Sequence, residues 1–472
     1  MTMATLSWVA ATTGGQIVGA DIGFDSVSTD TRSIEPGQLF VALRGVRYDA
    51  ATFVAAAVER GAVAAVVERS QPISLPQVVV PDAGKALRDM GTAWRQRFAV
   101  PVLGVTGSNG KTTLKEMMGA IMRAHFRLPG DDGGVLVTWG NLNNHVGVPI
   151  TLLWLNAAHR AAVIEMGASG TGEIALLTRI AQPTVGVLTN AGPAHLAGFG
   201  GTVRGVAQGK GELFAGLQAG AVAVVNRDDP YHDYWRGLRQ DVEYRSFGLT
   251  PAADFRATGI VASNGTGLRF LLNSPVGDVA IYLPMAGSHN IQNALAAAAA
   301  TTAAGAPLSA VRDGLAGMLN VKGRLRPEPG PAGSTIYDDS YNANPGSVGA
   351  AIHFLAGLDG QRWFVLGDMA ELGPAAVELH RDIGALAARC GIDRFYAVGP
   401  LAQHAAAAFG PRAHWAVDVV TLAQAIRPTL SPDVRLLVKG SRSAGLERLV
   451  KALNGETNGG LDSQLPDAGG AH

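Results

Sequence analysis

Residues 104–118 read GVTGSNGKTTLKEMM, and the fold turns on how that stretch is understood. An apolar run ends at Val105, a glycine loop comes next, and then Leu114, Met117, Met118, Ile121 and Met122 recur at the spacing of one helical face. Strand, glycine loop, helix is the context in which a phosphate-binding loop works. Glycines let successive backbone N–H groups turn inward without a Cβ clash, and the helix N-terminus adds a partial positive charge. Gly107, Ser108, Asn109, Gly110, Lys111, Thr112 and Thr113 form the expected cradle. Lys111 brings a full charge to the β- and γ-phosphates of ATP, and the Thr112 hydroxyl can ligate Mg²⁺. The common spacing asks for glycine at position 105, where this chain has Val with Gly104 and Gly107 beside it. Gly110-Lys111-Thr112 is nonetheless framed on both sides as such a loop requires. A bare strand-to-helix turn is the bland alternative, and the methionines read as core.

Outward from the loop, RAAVIEMG (160–167), PTVGVLTNAG (183–192) and GAVAVVN (220–226) are near-continuous apolar runs. Such runs suit strands buried on both faces of a parallel sheet. Upstream, GQLFVAL (37–43), TFVAAAVERGA (52–62) and AAVVE (64–68) read as strand, helix and strand of a smaller unit. Downstream, NVKGRLRPEPGPAGS (320–334) reads as a junction. STIYDDSY, RWFVLGDM, RFYAVG and RLLVKGS then read as strands of a second wound sheet. The expected fold is α/β in three domains. These are a smaller N-terminal α/β domain (1–98), a central domain with the phosphate loop on a parallel sheet (99–320), and a C-terminal Rossmann-like doubly wound sheet (321–454). The segment 455–472 has little to bury and reads as a disordered tail.

The chain has 472 residues, 38 basic against 38 acidic. That balance gives no field for nucleic acid or anionic lipid. A single cysteine, Cys390, excludes a disulfide framework or a thiolate metal cluster, and reads as a small core residue. No signal-like start or membrane span is legible, and NALAAAAATTAAGA (293–306) reads as a buried helix, so no membrane insertion is expected and the cytoplasm fits.

Glu165 ends one predicted strand, His195 lies just past another in LTNAGPAHLAGFG, and Lys210 stands in VAQGKGELFAGL, read as the start of a helix. Ligands of parallel sheets gather at the carboxyl ends of strands, so these groups could share one crevice with the loop. Alone, a histidine there is more often a satisfied polar residue and a lysine a solvated one.

TGSNGKTT (106–113) is a particular form of the loop, and it resembles that of the Mur ligase family, ATP-dependent amide-forming enzymes of peptidoglycan precursor synthesis. The resemblance implies that Thr112, Glu165 and His195 bind Mg²⁺, at two sites, and that Lys210 is carbamylated, its cation exchanged for a carboxylate. It implies that Asn143 and Asn144 of GNLNNHVGVP meet the nucleotide-sugar substrate, where the residues alone suggest turn amides. It assigns Asn290 and Asn293 of GSHNIQNA to the adenine side, where a helix cap is the plain alternative, and Arg324 to the ATP phosphates. Asp339, Tyr341, Asn342 and Asn344 of YDDSYNANP would meet nucleotide and incoming amine. Ser28, Thr29, Asp30 and Arg32 would grip the UDP end. YNANP stands where diamino-acid-adding members carry a DNPR-like motif, and Ala197 where the family often has an acid. The likeness is to the member joining D-Ala-D-Ala to UDP-N-acetylmuramoyl-tripeptide through an acyl phosphate, with Lys111, His195, Lys210 and Arg324 central to catalysis and a monomer expected. A diamino-acid-adding ligase and, from another class, an ATP-driven switch stay open as alternatives.

Overall fold

The computed structural model describes residues 2–45, 49–127, 134–263, 265, 267–318 and 322–455. The expected tail, apart from Gly455, lies outside them, as does the expected boundary between residues 320 and 321. The architecture is α/β throughout, built on three main sheets.

The central sheet has six strands, all parallel, in the order 243–247, 222–226, 185–188, 102–106, 161–165, 135–137. Val102–Thr106 lies in its middle and is wholly buried. It feeds the helix Lys111–Phe126, whose Leu114, Met117, Met118, Ile121 and Met122 are all inaccessible to solvent. That helix packs against His289–Ala303 and Leu308–Ala316. The alanine run of the first permits close approach, and at Gly314 a Cβ would come within 2.5 Å of the Ile121 backbone. Burying such an apolar face contributes about 25 cal/mol per Å² removed from water, and more than helix propensity it holds these elements in place.

The N-terminal sheet runs 16–18, 77–79, 64–67, 38–41, 26–28, parallel except for its first pair. Its core is continuous with that of the central unit: one hydrophobic cluster extends from Leu6 to Val242. The helix Ala83–Arg95 carries that continuity, with Trp94 Nε1 donating to Leu155 O at 2.9 Å and buried Arg95 donating to Ala181 O. The third sheet runs 326–329, 335–339, 434–439, 361–367, 394–398, 413–416 and has a cluster on each of its two faces, one of which also takes in Ala286 of the central unit.

Two expectations need correction. Between the central sheet and the helix at 289, the chain forms an antiparallel three-stranded sheet, Arg256–Ser263, Gly267–Ser274 and Gly277–Leu283, rather than more of the parallel sheet expected across 99–320. Its Leu268, Phe270 and Leu272 alternate inward, while Arg269 and Leu271 face out. The stretch read as a junction also contains a strand, Arg326–Pro329, antiparallel to Thr335–Asp339. Pro327 and Pro329 are tolerated because this is the sheet edge, where a missing N–H breaks no ladder. Among the described residues no helix is long and apolar enough to cross a membrane.

Candidate active site

The strands of the central sheet end together. Glu165 pairs in register with Val105, and Leu188 with Thr106, so the connections leaving these strands emerge on one edge. The glycine loop emerges there too. Gly107 and Gly110 have φ of +143° and +84°, which L side chains rarely adopt. A Cβ at Gly107 would overlap Thr189 Oγ1, and one at Gly110 would lie 2.6 Å from Asn293 Oδ1. The segment after strand 185–188 grips the loop from outside. Ser108 N donates to Asn190 O at 3.0 Å, Asn109 N to Asn190 Oδ1 at 3.0 Å, and Thr189 Oγ1 to Asn109 O at 2.6 Å. Thr112 and Thr113 open the helix that the loop leads into. Lys111 curls back over the loop, its Nζ donating to Gly107 O at 2.6 Å and Ser108 O at 3.2 Å. Burial lowers the Lys111 pKa; Glu165 acts against the shift and Arg324 adds to it.

Glu165 is 2% exposed. Its Oε1 accepts from Asn143 Nδ2 at 2.8 Å, and its Oε2 is buried with no partner. A buried carboxylate oxygen left unsatisfied is costly and suits a cation. Asn143 is thus turned onto Glu165, whereas Asn144 folds back on the turn that leads into the helix Gly147–Leu153, its Oδ1 accepting from Val146 N and Gly147 N. His195 has a left-handed backbone, φ +53°, and its Nδ1 meets the Glu371 carboxylate.

Lys210 is not at a helix start: it is the eighth residue of Val203–Ala215 and is 2% exposed. Small neighbours Gly209 and Gly211 let it sink inward, and its Nζ lies 5.1 Å over the Phe199 ring and donates to Ala168 O at 3.0 Å. Burial first, and the Lys111 charge second, push its pKa down to about 7 against the opposing pull of Glu173 and Glu212.

The third unit reaches in from the other side. An Arg324 guanidinium nitrogen donates to Thr112 Oγ1 at 3.3 Å while the group lies 4.3 Å over the Tyr341 ring. Asn344 caps the helix Pro345–Ala356 in a capping box with Ser347 and also contacts Asn109. Asp339 pairs with buried Lys439 at 2.7 Å, its register partner on the adjacent strand, and Lys439 Nζ also donates to Asn342 O at 2.9 Å. Asn342 Oδ1 accepts from Ala343 N.

Asn290 and Asn293 lie beneath the loop. Asn290 is 2% exposed, its Nδ2 donating to Ala286 O at 2.6 Å and its Oδ1 accepting from Asn293 Nδ2 at 3.1 Å. Ser28, Thr29, Asp30 and Arg32 form a separate turn after the outermost N-terminal strand. There Asp30 takes the Arg32 guanidinium in a two-pronged pair and Ser28 Oγ bonds the Asp30 backbone. The strand-end groups and the third-unit loop therefore gather at one crevice, and this turn stands on another sheet.

Sequence reasoning missed Glu371, Lys439, Thr189 and Asn190. VLGDMAELG and VKGSR contain the first two, but nothing in their spacing shows which residues they face. Among the described residues no three His, Cys, Asp or Glu side chains cluster as a ready metal cage. A cation at Glu165 would draw its other ligands from hydroxyl, imidazole and phosphate groups.

Residues 105–301 match the Mur ligase middle domain, residues 323–442 the Mur ligase glutamate ligase domain, and residues 24–125 the Mur ligase family catalytic domain. UDP-N-acetylmuramoyl-tripeptide–D-alanyl-D-alanine ligase of Escherichia coli K12 is 42% identical over 457 residues, covering 96% of this chain and 99% of that protein. The crystal structure of MurF from Acinetobacter baumannii superimposes with a TM-score of 0.89 at 34% identity, over 96% of this chain and 98% of that one. MurF ligase from Thermotoga maritima in complex with ADP superimposes with a TM-score of 0.81 at 27% identity, over 91% and 97%.

Proposed function

The chain belongs to the Mur ligase family, and we propose that it is the member that joins D-Ala-D-Ala to UDP-N-acetylmuramoyl-tripeptide at the expense of ATP. The observation that carries this is the near-full-length likeness to enzymes of that activity in all three units. On this reading residues 1–98 grip the UDP end through Ser28, Thr29, Asp30 and Arg32, residues 99–320 hold ATP, and residues 321–454 bring the amine. The substrates are those of a cytoplasmic enzyme.

The chemistry needs two anions to meet. The tripeptide carboxylate attacks the γ-phosphate, ADP leaves, and an acyl phosphate forms. The dipeptide amine attacks its carbonyl carbon, and inorganic phosphate leaves as the amide closes. Positioning and charge neutralisation do most of the work in phosphoryl transfer. The loop N–H groups, Lys111 and Arg324 supply positive potential on the nucleotide. The Lys111 ammonium, now resting on loop carbonyls, is free to swing to phosphate oxygens. Tyr341, Asn342 and Asn344 lie beside Arg324 and the loop, where an incoming amine would be oriented. Asn290 and Asn293 would serve the nucleotide by supporting the loop's floor and the adenine beside it, and Asp339, held by Lys439, by contacting it from the third unit.

Thr112, Glu165, His195 and a carbamylated Lys210 are the groups that would hold two Mg²⁺ ions, which neutralise charge between carboxylate and triphosphate when bound. The orphan Glu165 oxygen supports the fit. A pKa near 7 supports the carbamate, because only the neutral amine adds CO₂, forming an N–C bond and releasing a proton.

The test is amine-dependent phosphate release with UDP-N-acetylmuramoyl-tripeptide and ATP. Release that needs D-Ala-D-Ala, and not meso-diaminopimelate, L-Lys or L-Glu, is the expected result. Release needing no amine, or preferring a diamino acid, overturns it.

A further inference from the structure

The geometry points to Glu371 as a positioning residue that fixes the His195 imidazole from the third unit. The inference rests on the metal-holding role given to His195 above.

Two observations carry it. First, His195 and Glu371 belong to different units and meet, the Glu371 carboxylate in ion-pair contact with His195 Nδ1, a buried atom with no hydrogen-bond partner among the described residues. Second, both are non-glycine residues in the left-handed region, with φ of +53° and +61°. Such backbone is strained for L side chains and persists only where the surroundings impose it. The surroundings at Glu371 do so visibly. Met369 and Leu372 on either side are buried in the third-unit core. Buried His380 accepts from Met369 N through Nε2 at 3.0 Å while its Nδ1 donates to Ala376 O at 2.6 Å. The turn is pinned at both ends, and Glu371 is the residue it projects.

A carboxylate at Nδ1 holds the proton there and leaves the Nε2 lone pair free to ligate a cation. Glu371 thus sets the tautomer of a residue in the central unit, and does so only while the third unit is seated. Metal-ready His195 and a docked amine-bearing unit become one condition.

The test uses the full chain labelled with ¹⁵N-histidine, free of metal and substrate, with the His195 signals assigned by their loss in His195→Gln. The Nδ1–H tautomer is expected in the parent and in Glu371→Gln, whose amide oxygen still accepts. Glu371→Ala is expected to mix or reverse it. An unchanged tautomer in Glu371→Ala overturns the proposal. Calorimetric titration with Mg²⁺ and ADP is the second measurement, where Glu371→Ala should weaken Mg²⁺ dependence by about 10–100-fold. The third is the thermal midpoint of Glu371→Gly. Relief of left-handed strain should leave it equal to or above the parent value, whereas a residue kept for packing would lower it. The tautomer is read without amine or nucleotide, so failure of the D-Ala-D-Ala assay would leave this measurement independent.

Discussion

Asn344 donates its side-chain amide to Asn109 Oδ1 across 2.7 Å, tying the first turn of a third-unit helix to the phosphate loop. Its other side-chain atom, Oδ1, caps that helix by accepting from Ser347 N at 3.0 Å. One residue therefore both ends a helix and bridges two units.

The two roles separate by substitution. Asn344→Asp keeps the cap and loses the donor, so the thermal midpoint should hold while KM for ATP rises several-fold. Asn344→Ala loses both and should also cost about 1 kcal/mol of stability, read by denaturant titration. Equal ATP kinetics in Asn344→Asp and the parent would show that the bridge is idle.

Lys111→Ala should remove turnover, by roughly 10²–10³-fold or more in kcat/KM, as expected for a charge acting on a developing phosphoryl transition state. The fold should survive, because burial already works against the Lys111 charge. Far-UV circular dichroism and the thermal midpoint check the fold, and coupled ADP release checks the rate.

Gly110→Ala meets both obstacles, a φ of +84° and Asn293 Oδ1 at 2.6 Å from the new methyl. A loss of about 1–3 kcal/mol is expected, together with weakened nucleotide binding. Adding Asn293→Ala should recover part of the stability, since it removes the contact but not the backbone strain.

Lys210 sets a pH dependence with a definite sign. Its pKa is about 7 when folded against 10.5 ordinarily, so between those values the unfolded chain binds a proton the folded chain lacks. Stability should rise with pH across that window in CO₂-free buffer and flatten below about 7. Lys210→Met should reduce that slope and leave the part contributed by Lys111 and Lys439, whose pKa values burial also lowers. Lys210→Ala should lose activity and regain part of it with added short carboxylic acids. Full activity of Lys210→Ala without additive would remove the carbamate from the mechanism.

Much of the fold was legible in the sequence because the signals were local. The run ending at Val105, the glycines and the Leu114–Met122 face fix strand, loop and helix within about twenty residues. The buried runs at 161–165, 185–188 and 222–226 specify a parallel sheet whose strand ends must share an edge. What escaped was decided at a distance. Pro327 and Pro329 argued against a strand, yet an edge position removes the objection. Leu268, Phe270 and Leu272 carried an alternating signal that a reading tuned to continuous runs passed over. Asn144 Oδ1 makes local turn bonds, while Asn143, one residue earlier, contacts Glu165. Nothing in sequence separates them, because the difference lies in which way a two-residue turn faces. Glu371 could not be placed at all, since its partner lies in another unit.

The single apolar cluster running from Leu6 to Val242 has a mechanical meaning. The first two units cannot part without exposing a shared interior, whereas the third meets them through side chains such as Arg324, Asn344 and Glu371. A calorimetric scan should accordingly resolve two endotherms rather than three, and bound nucleotide, by stitching that seam, should draw them together.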